Sequence, residues 1–498
     1  MRPAGGATRR LAALGGALVL ASTVVTAACT PEMPPPPPEA TLEALFRPAV
    51  PIAPTPTPTP PPALGGAEVG NVLEALVCWY EDPALAAECL PPGEETLDAL
   101  QRVARSGDRQ FIAPLVDMLW LDVGWERWVR ETLEVVSGER FATPAEWYAW
   151  MTAERPPLPD GYTAWKGRLL SIVDPGFATL VQEGPGVRPE QLVWSLLRVN
   201  ALPALRQPAT LEAGEQGYLG GGDTVFGVVV EGEARAYPER IIGWHGVVED
   251  TVNGRDIVVV HCAPCGGATV FGATASDGER YTLGVSGLVA ESRNLLVDEE
   301  TSSLWDAVTG VAVAGPAASA RLPLLHSVRT TWSTWLGRHP DTRVLGGDTG
   351  EVRDYSEGAA IEAAEGTLFP VSNLDPRLDA KTRVVGVHHE GAYRAYPLEE
   401  VERAGVVHDS LGEQPIVLLS SGPGTGVTVY EADELTVDRV EGTPVDRDVV
   451  DSTGQRWFVN DERLLNARNS RERAALPSQV GYWSAWAGAH PETGVWTP

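Results

Sequence analysis

The side chains with the most chemistry crowd into one heptapeptide, His261-Cys262-Ala263-Pro264-Cys265-Gly266-Gly267. Two thiols at this spacing can hold a metal ion, exchange a disulfide or staple a turn. A metal centre needs more than two protein ligands, so histidine must complete it. The candidate ligands are Cys262, Cys265, His245 and His261, with His326 as a further one. His245 is preferred as the third ligand. His261 would face away from Cys262 if the strand continues that far, because successive strand residues alternate faces. Zinc suits a structural Cys/His site, and copper suits exported thiol and imidazole ligands. In the redox reading, Cys-x-Pro-Cys resembles the thioredoxin motif, where a helix N-terminus stabilises the thiolate. Gly266-Gly267-Ala268-Thr269-Val270 is a poor helix, so that activation is missing. Metal ranks first, redox second and staple third.

The elements that must position these groups are strands. Ile257 to Val260 leads into the heptapeptide and Thr269-Val270-Phe271 leads out, both β-branched or aromatic. Pro264 and the glycines supply the turn.

The chain then repeats itself. Val225-Phe226-Gly227-Val228, Glu231-Gly232 and Arg235-Ala236-Tyr237-Pro238 return as Val384-Val385-Gly386-Val387, Glu390-Gly391 and Arg394-Ala395-Tyr396-Pro397, at an offset of 159. Farther on the offset is 151: Trp332, Trp335, His339-Pro340 and Thr342 match Trp483, Trp486, His490-Pro491 and Thr493. Trp305 answers to Trp457. Short strands bounded by Gly, Asp and Pro dominate each copy, which predicts an α+β fold with a mainly antiparallel sheet in tandem duplication. Glu231-Gly232 and Asp277-Gly278 are hairpin-turn candidates.

Duplication separates fold from function. Residues kept in both copies, such as Arg235/Arg394, Tyr237/Tyr396, Asp250/Asp409 and His339/His490, serve the fold. Chemically special residues in one copy are functional candidates. His245 faces Ala404, His261 faces Ser420, Cys262 faces Ser421, Cys265 faces Gly424 and His326 faces Pro477. The second copy holds the same turn without thiols, which argues against a staple.

Gly232-Glu233-Ala234-Arg235-Ala236-Tyr237-Pro238, Trp244-His245, Asp250-Thr251-Val252, Cys262-Ala263-Pro264-Cys265-Gly266, Gly284-Val285-Ser286-Gly287-Leu288, Thr301 to Trp305 and Trp332 to Thr342 occur in this order. In this combination the chain resembles the bacterial exported family catalogued as domain of unknown function 3179, over roughly residues 185–498. The resemblance implies a Cys-x-x-Cys in the first half and a bare second half. It implies no activity. Here the proline of the usual Cys-Pro-Leu-Cys-Gly has moved one place, and Gly246 follows His245 where relatives often carry a larger or acidic residue.

The remaining regions set the context. Residues 1–29 read as an export signal, with Arg2, Arg9 and Arg10 before the apolar stretch Leu11 to Ala28. Cys29 follows small residues and is the expected lipidation site, which would anchor the protein to the cell membrane on its extracytoplasmic side. Residues 30–66 are a Pro-rich tether, reaching roughly 100 Å at about 3.1 Å per residue. Residues 67–160 show helical periodicity (Leu73, Leu76 and Val77; Leu97, Leu100 and Val103) and are similar to a HEAT-type repeat around Ser106 to Val116. Cys78 and Cys89 are expected to form a disulfide there. Residues 161–222 are a connector, with a short helix expected over Gln191 to Val199. The first repeat unit spans 223–350, a second connector 351–382 and the degenerate unit 383–498.

The formal charge of −29, with Lys166 and Lys381 the only lysines, makes nucleic acid an unsuitable partner. A peptide- or glycan-binding module using some of the sixteen tryptophans is the alternative without catalysis. A serine hydrolase fits poorly, because Gly287 directly follows Ser286 in Gly284-Val285-Ser286-Gly287. No protein or small-molecule partner is readable.

Overall fold

The computed structural model describes residues 63–77, 94–121, 126–355 and 366–498. The signal with Cys29, most of the tether, and Cys78 and Cys89 lie outside the described residues.

The helical region is built from Gly66–Leu76, Glu94–Ser106, Ile112–Leu121, Glu126–Ser137, Pro144–Glu154 and Tyr162–Ser171. The periodic residues Leu73, Leu76, Leu100, Val103, Leu115 and Met118 are buried in one core, as an apolar helical stripe requires. Gly107 takes a positive φ at the turn after the second helix, and the Asp108 carboxylate caps the next turn by accepting from the Gln110 amide at 3.2 Å. Lys166 is fully buried against Asp117, at 2.7 Å, and Tyr162 donates to the same carboxylate at 2.6 Å. Burial raises the Asp117 carboxyl and lowers the Lys166 ammonium, while their attraction works against both shifts. This network is a polar core under the helices, with every ion paired.

Each repeat unit folds into three small sheets. The first sheet pairs Thr224–Val230 with Glu233–Pro238, flanked by Val328–Thr331, Arg343–Leu345 and Thr210–Glu212. Its counterpart pairs Arg383–His389 with Ala392–Pro397, flanked by Ser478–Tyr482 and Gly494–Val495. The sheets are mainly antiparallel, with parallel pairing where Arg343–Leu345 and Gly494–Val495 return after the closing helices Trp332–Arg338 and Trp483–Ala489. The second sheet carries the thiol turn: Val247–Val252, Arg255–Cys262 and Gly267–Gly272, against Val406–Leu411, Gln414–Ser420 and Val427–Glu431 in the other copy. The third is a meander through Leu283–Ala290, Arg293–Asp298 and Leu304–Asp306, matched by Val437–Gly442, Arg447–Asp451 and Arg456–Val459.

Residues kept in both copies do the same structural work twice. The Asp250 carboxylate accepts from Arg235 and Tyr237, each at 2.8 Å. Asp409 lies 2.7 Å from Arg394 and accepts from Tyr396 at 3.0 Å. Trp335 and Trp486 donate to Thr342 and Thr493, at 3.0 and 2.9 Å. Glu231-Gly232 and Glu390-Gly391 both turn with positive φ at two successive residues, the geometry of a tight hairpin.

Two expectations change. Gln191 to Val199 is not a helix: a short 3-10 turn, Pro189–Gln191, leads into a strand, Val193–Trp194, that pairs with Val289 and Leu288. The edge of Leu283–Ala290 offers this apolar segment both backbone partners and a buried place for Leu192 and Val193, which outweighs a short local helix. The first connector is also largely absorbed by its neighbours. Its start extends the helical region to Ser171, and Leu205–Arg206 and Thr210–Glu212 are edge strands of the first repeat unit.

Candidate functional site

Cys262 ends its strand, Ala263–Cys265 makes one 3-10 turn, and Gly266 takes a positive φ of 73° before the next strand begins at Gly267. Positive φ favours glycine here. No α-helix starts at the motif, in keeping with the glycine-rich sequence after it. The turn brings the two Cα atoms to 5.1 Å, and the sulfurs are joined as a disulfide. The backbone N–H of Asn294, on the adjoining meander, donates to the Cys262 sulfur at 3.5 Å.

Both cysteines are almost fully buried, at 3% and 5% exposed. The cover comes from the other repeat unit. A small cavity of about 20 Å³, room for roughly one water, lies between the disulfide and Gln479, Val480, Tyr482 and Trp486. A Cβ at Gly266 would strike the Tyr482 ring, and one at Gly267 would strike the Val480 carbonyl. Thr269 donates to the Gln479 side chain at 2.7 Å across the same seam. The mirror-image contact exists on the other side. Gly426, the counterpart of Gly267, packs on Val328 and Arg329, the counterparts of Gln479 and Val480. Each unit therefore buries its turn beneath the strand that precedes the partner unit's closing helix.

The histidines divide as strand alternation predicts. His261 lies on the face of its strand opposite Cys262, its Nε2 3.8 Å from Glu239. Burial raises the Glu239 carboxyl, but His261 and Arg329 outweigh it and hold it below the usual range. His245 ends the helix Glu239–His245 and is fully buried. Both its ring nitrogens are engaged, Nδ1 with the Pro203 carbonyl at 2.7 Å and Nε2 with the Tyr355 hydroxyl at 2.6 Å. Burial lowers the His245 imidazole below its ordinary pKa; the Pro203 carbonyl can only accept, so Nδ1 carries a proton, and in the neutral ring Nε2 accepts from Tyr355. His326 is elsewhere on the seam, with Nδ1 3.3 Å from the Ser478 hydroxyl. The cysteine pair is thus brought together, and His245, His261 and His326 each have other surroundings. Among the described residues, no three His, Cys, Asp or Glu side chains form a group that could hold a metal ion.

Ser286 is fully buried and donates to the Leu295 carbonyl at 2.7 Å, a structural role. His339, read as structural from its duplication, makes a specific contact with the other unit: its Nε2 is 3.0 Å from Asp461. Asp461 also accepts from Arg447 at 2.8 Å and from Thr428 at 3.0 Å. Sequence reasoning missed Asn294, Arg447, Asp461 and Tyr355. A signal for Arg447 existed, since Arg293 and Arg447 each open the second strand of their meander.

A search of curated proteins and one of solved structures found no match. A family model described as "Protein of unknown function (DUF3179)" matches residues 199–493, which include the first repeat unit, the thiol turn and the second unit as far as Thr493. The match begins after the helical region. The chain belongs to this family.

Proposed function

We propose that the protein is an exported, lipid-anchored thiol–disulfide protein whose working group is Cys262–Cys265. The observation that carries this reading is a disulfide at a turn that the second unit builds without any cysteine. A bond needed for the fold would be expected at both turns. The extracytoplasmic location proposed from the export signal and Cys29 would permit such a pair to oxidise.

The arrangement suits exchange in one direction. A thiolate of a partner dithiol attacks the Cys265 sulfur, forming a mixed disulfide and releasing Cys262 as the thiolate. The Asn294 N–H is placed to stabilise that leaving sulfur. The partner's second thiolate then attacks the mixed disulfide. The partner ends as a disulfide, and the pair ends as two thiols after taking up two electrons and two protons. Access requires the seam over the disulfide to open, since the second unit covers both sulfurs.

The metal reading is weaker on geometry, because His245 already uses both ring nitrogens and His261 is on the far face of the strand. Redox titration of the folded chain, with thiol trapping and mass spectrometry of the Cys262–Cys265 peptide, tests the proposal. Reversible reduction without unfolding is expected. A disulfide that reduces only on denaturation would leave it a staple. One zinc or copper ion bound per reduced chain, and lost in Cys262→Ser, would favour a metal centre instead.

A further inference from the structure

The two buried turns share a backbone frame and differ in what covers them. Over the thiol turn, a Cβ at Gly481 would meet the Cys265 carbonyl at 2.9 Å, and one at Gly266 would come within 2.6 Å of three Tyr482 ring carbons. Tyr482 is 5% exposed and lines the small cavity at the two sulfurs. Over the cysteine-free turn, Thr331 stands where Tyr482 does, and its methyl group is 3.6 Å from a Cβ built at Gly424.

Two cations hold the Tyr482 ring. The Lys381 ammonium and the Arg383 guanidinium lie over it, 5.8 and 5.2 Å from its centroid, at the distance of cation–π contacts. Arg383 is also close enough to the first unit to help hold the Glu239 carboxyl down. Neither cation is repeated. At the offset of 159, Lys381 answers to Gly222 and Arg383 to Thr224. Lys381 is one of the two lysines in the chain, and the other, Lys166, is buried in the helical region. The backbone around them is repeated: Trp332 donates to the Asp223 carbonyl at 2.7 Å, and Trp483 to the Thr382 carbonyl at 2.8 Å. The ring and its two cations are therefore additions to a shared frame, at the one turn that carries sulfur. Packing alone does not call for them, because Thr331 covers the other turn.

We infer that Tyr482 is the gate of the Cys262–Cys265 disulfide, with Lys381 and Arg383 as its latch. The cavity at the sulfurs has room for roughly one water, so an attacking thiolate enters only when the ring leaves the turn. The cation contacts set how often it leaves. This inference rests on the exchange proposed above for the same pair.

The probe is dithiothreitol, added to the folded full chain, with the Cys262 and Cys265 thiols trapped over time and counted by mass spectrometry. One of its thiolates attacks a sulfur of the pair, and the other then closes its own ring disulfide, leaving two protein thiols. Lys381→Gln with Arg383→Gln should speed reduction about tenfold, the weight of two cation–π contacts at partly exposed sites. Tyr482→Thr, which installs the side chain of the other turn, should be faster still. Tyr482→Phe should keep the wild-type rate, because the ring remains. Gly227→Ala, which strains the first unit's closing helix, controls for general loosening and should leave the rate unchanged. Should Tyr482→Thr not fold, the double glutamine variant carries the test. Reduction of the folded wild type, with the same rate in Tyr482→Thr and in the double glutamine variant, would overturn the gate alone. Equal acceleration by Gly227→Ala, or a pair that reduces in no variant until the chain unfolds, would overturn the gate and the exchange together.

Discussion

At the scale of single residues, comparison of the two copies was the most informative signal. It separated Arg235, Tyr237 and Asp250, which repeat as one hydrogen-bonded triad, from Cys262 and Cys265, which do not repeat. The disulfide closes a loop of four residues, so chain entropy assigns it about 2 kcal/mol. Cys262→Ala with Cys265→Ala should therefore unfold at lower denaturant by about that amount while keeping its far-UV spectrum. Loss of all structure would show that the turn depends on the bond, against the proposed function. Asp461 should be far more sensitive. Asp461→Asn leaves Arg447 and Arg338 buried without a counter-charge, for an expected loss of about 3–5 kcal/mol. The guanidinium and imidazole groups around it outweigh burial and hold its carboxyl well below the usual range. A depressed carboxyl gives stability that is present above its ordinary value of 3.8 and is lost as pH falls below it. Acid unfolding of the wild type should thus carry an Asp461 component absent from Asp461→Asn. The opposite facing of His261 and Cys262 was legible from strand alternation alone. The Tyr355 partner of His245 was not, because it is 110 residues away in a stretch with no periodic pattern.

At the scale of elements, hairpins were legible and edges were not. Turn chemistry and β-branched runs are local properties, so Glu231-Gly232 and the thiol turn could be placed from sequence. Val193–Trp194 is a strand only because Leu288 and Val289 offer it an edge, and nothing local encodes that. The glycines inside strands carry more information than their neighbours. A Cβ at Gly227 would overlap the Trp335 ring, and one at Gly386 would overlap the Trp486 ring. The paired glycine and tryptophan seat each closing helix on its sheet. Gly227→Ala and Gly386→Ala should each destabilise by about 1–3 kcal/mol through overpacking. Combining Gly227→Ala with Trp335→Leu should cost less than the sum of the two, because the smaller side chain relieves the overlap. Strict additivity in that cycle would show that the contact does not set the packing.

At the scale of the whole described fold, function collects where the two repeat units meet. Each unit buries its turn under the other, and each presents its closing-helix histidine to the Arg–Asp pair of the other. The sequence reveals two copies but not their mutual burial, since the residues that touch are 93 (Thr331 and Gly424) to 230 positions apart. Titration of the seam follows from this arrangement. Burial lowers His326 and His490 to about 4. His326 faces Asp461, which raises it, and Arg447, which lowers it. His490 stacks on Tyr393, with the Trp486 ring tilted against it, and faces Asp306, which raises it, and Arg293, Arg321 and His388, which lower it. Both folded values lie below the ordinary imidazole value of 6.5, so between 6.5 and about 4 the unfolded chain binds protons that the native seam refuses. Stability must then rise with pH across that window. It is fully present above 6.5 and is lost as pH falls towards 4. Denaturant midpoints measured across this range should show a slope approaching two protons from these two residues, with His245 and His388, also lowered by burial, adding to it. His326→Gln with His490→Gln should remove about two protons from the slope, because neither replacement titrates. A double variant as steep as the wild type would place the titrating groups away from the seam. Protonation of the wild type would open the contact that covers Cys262–Cys265, so the same fall in pH should speed thiol trapping of the reduced pair, relative to a free-thiol control at each pH.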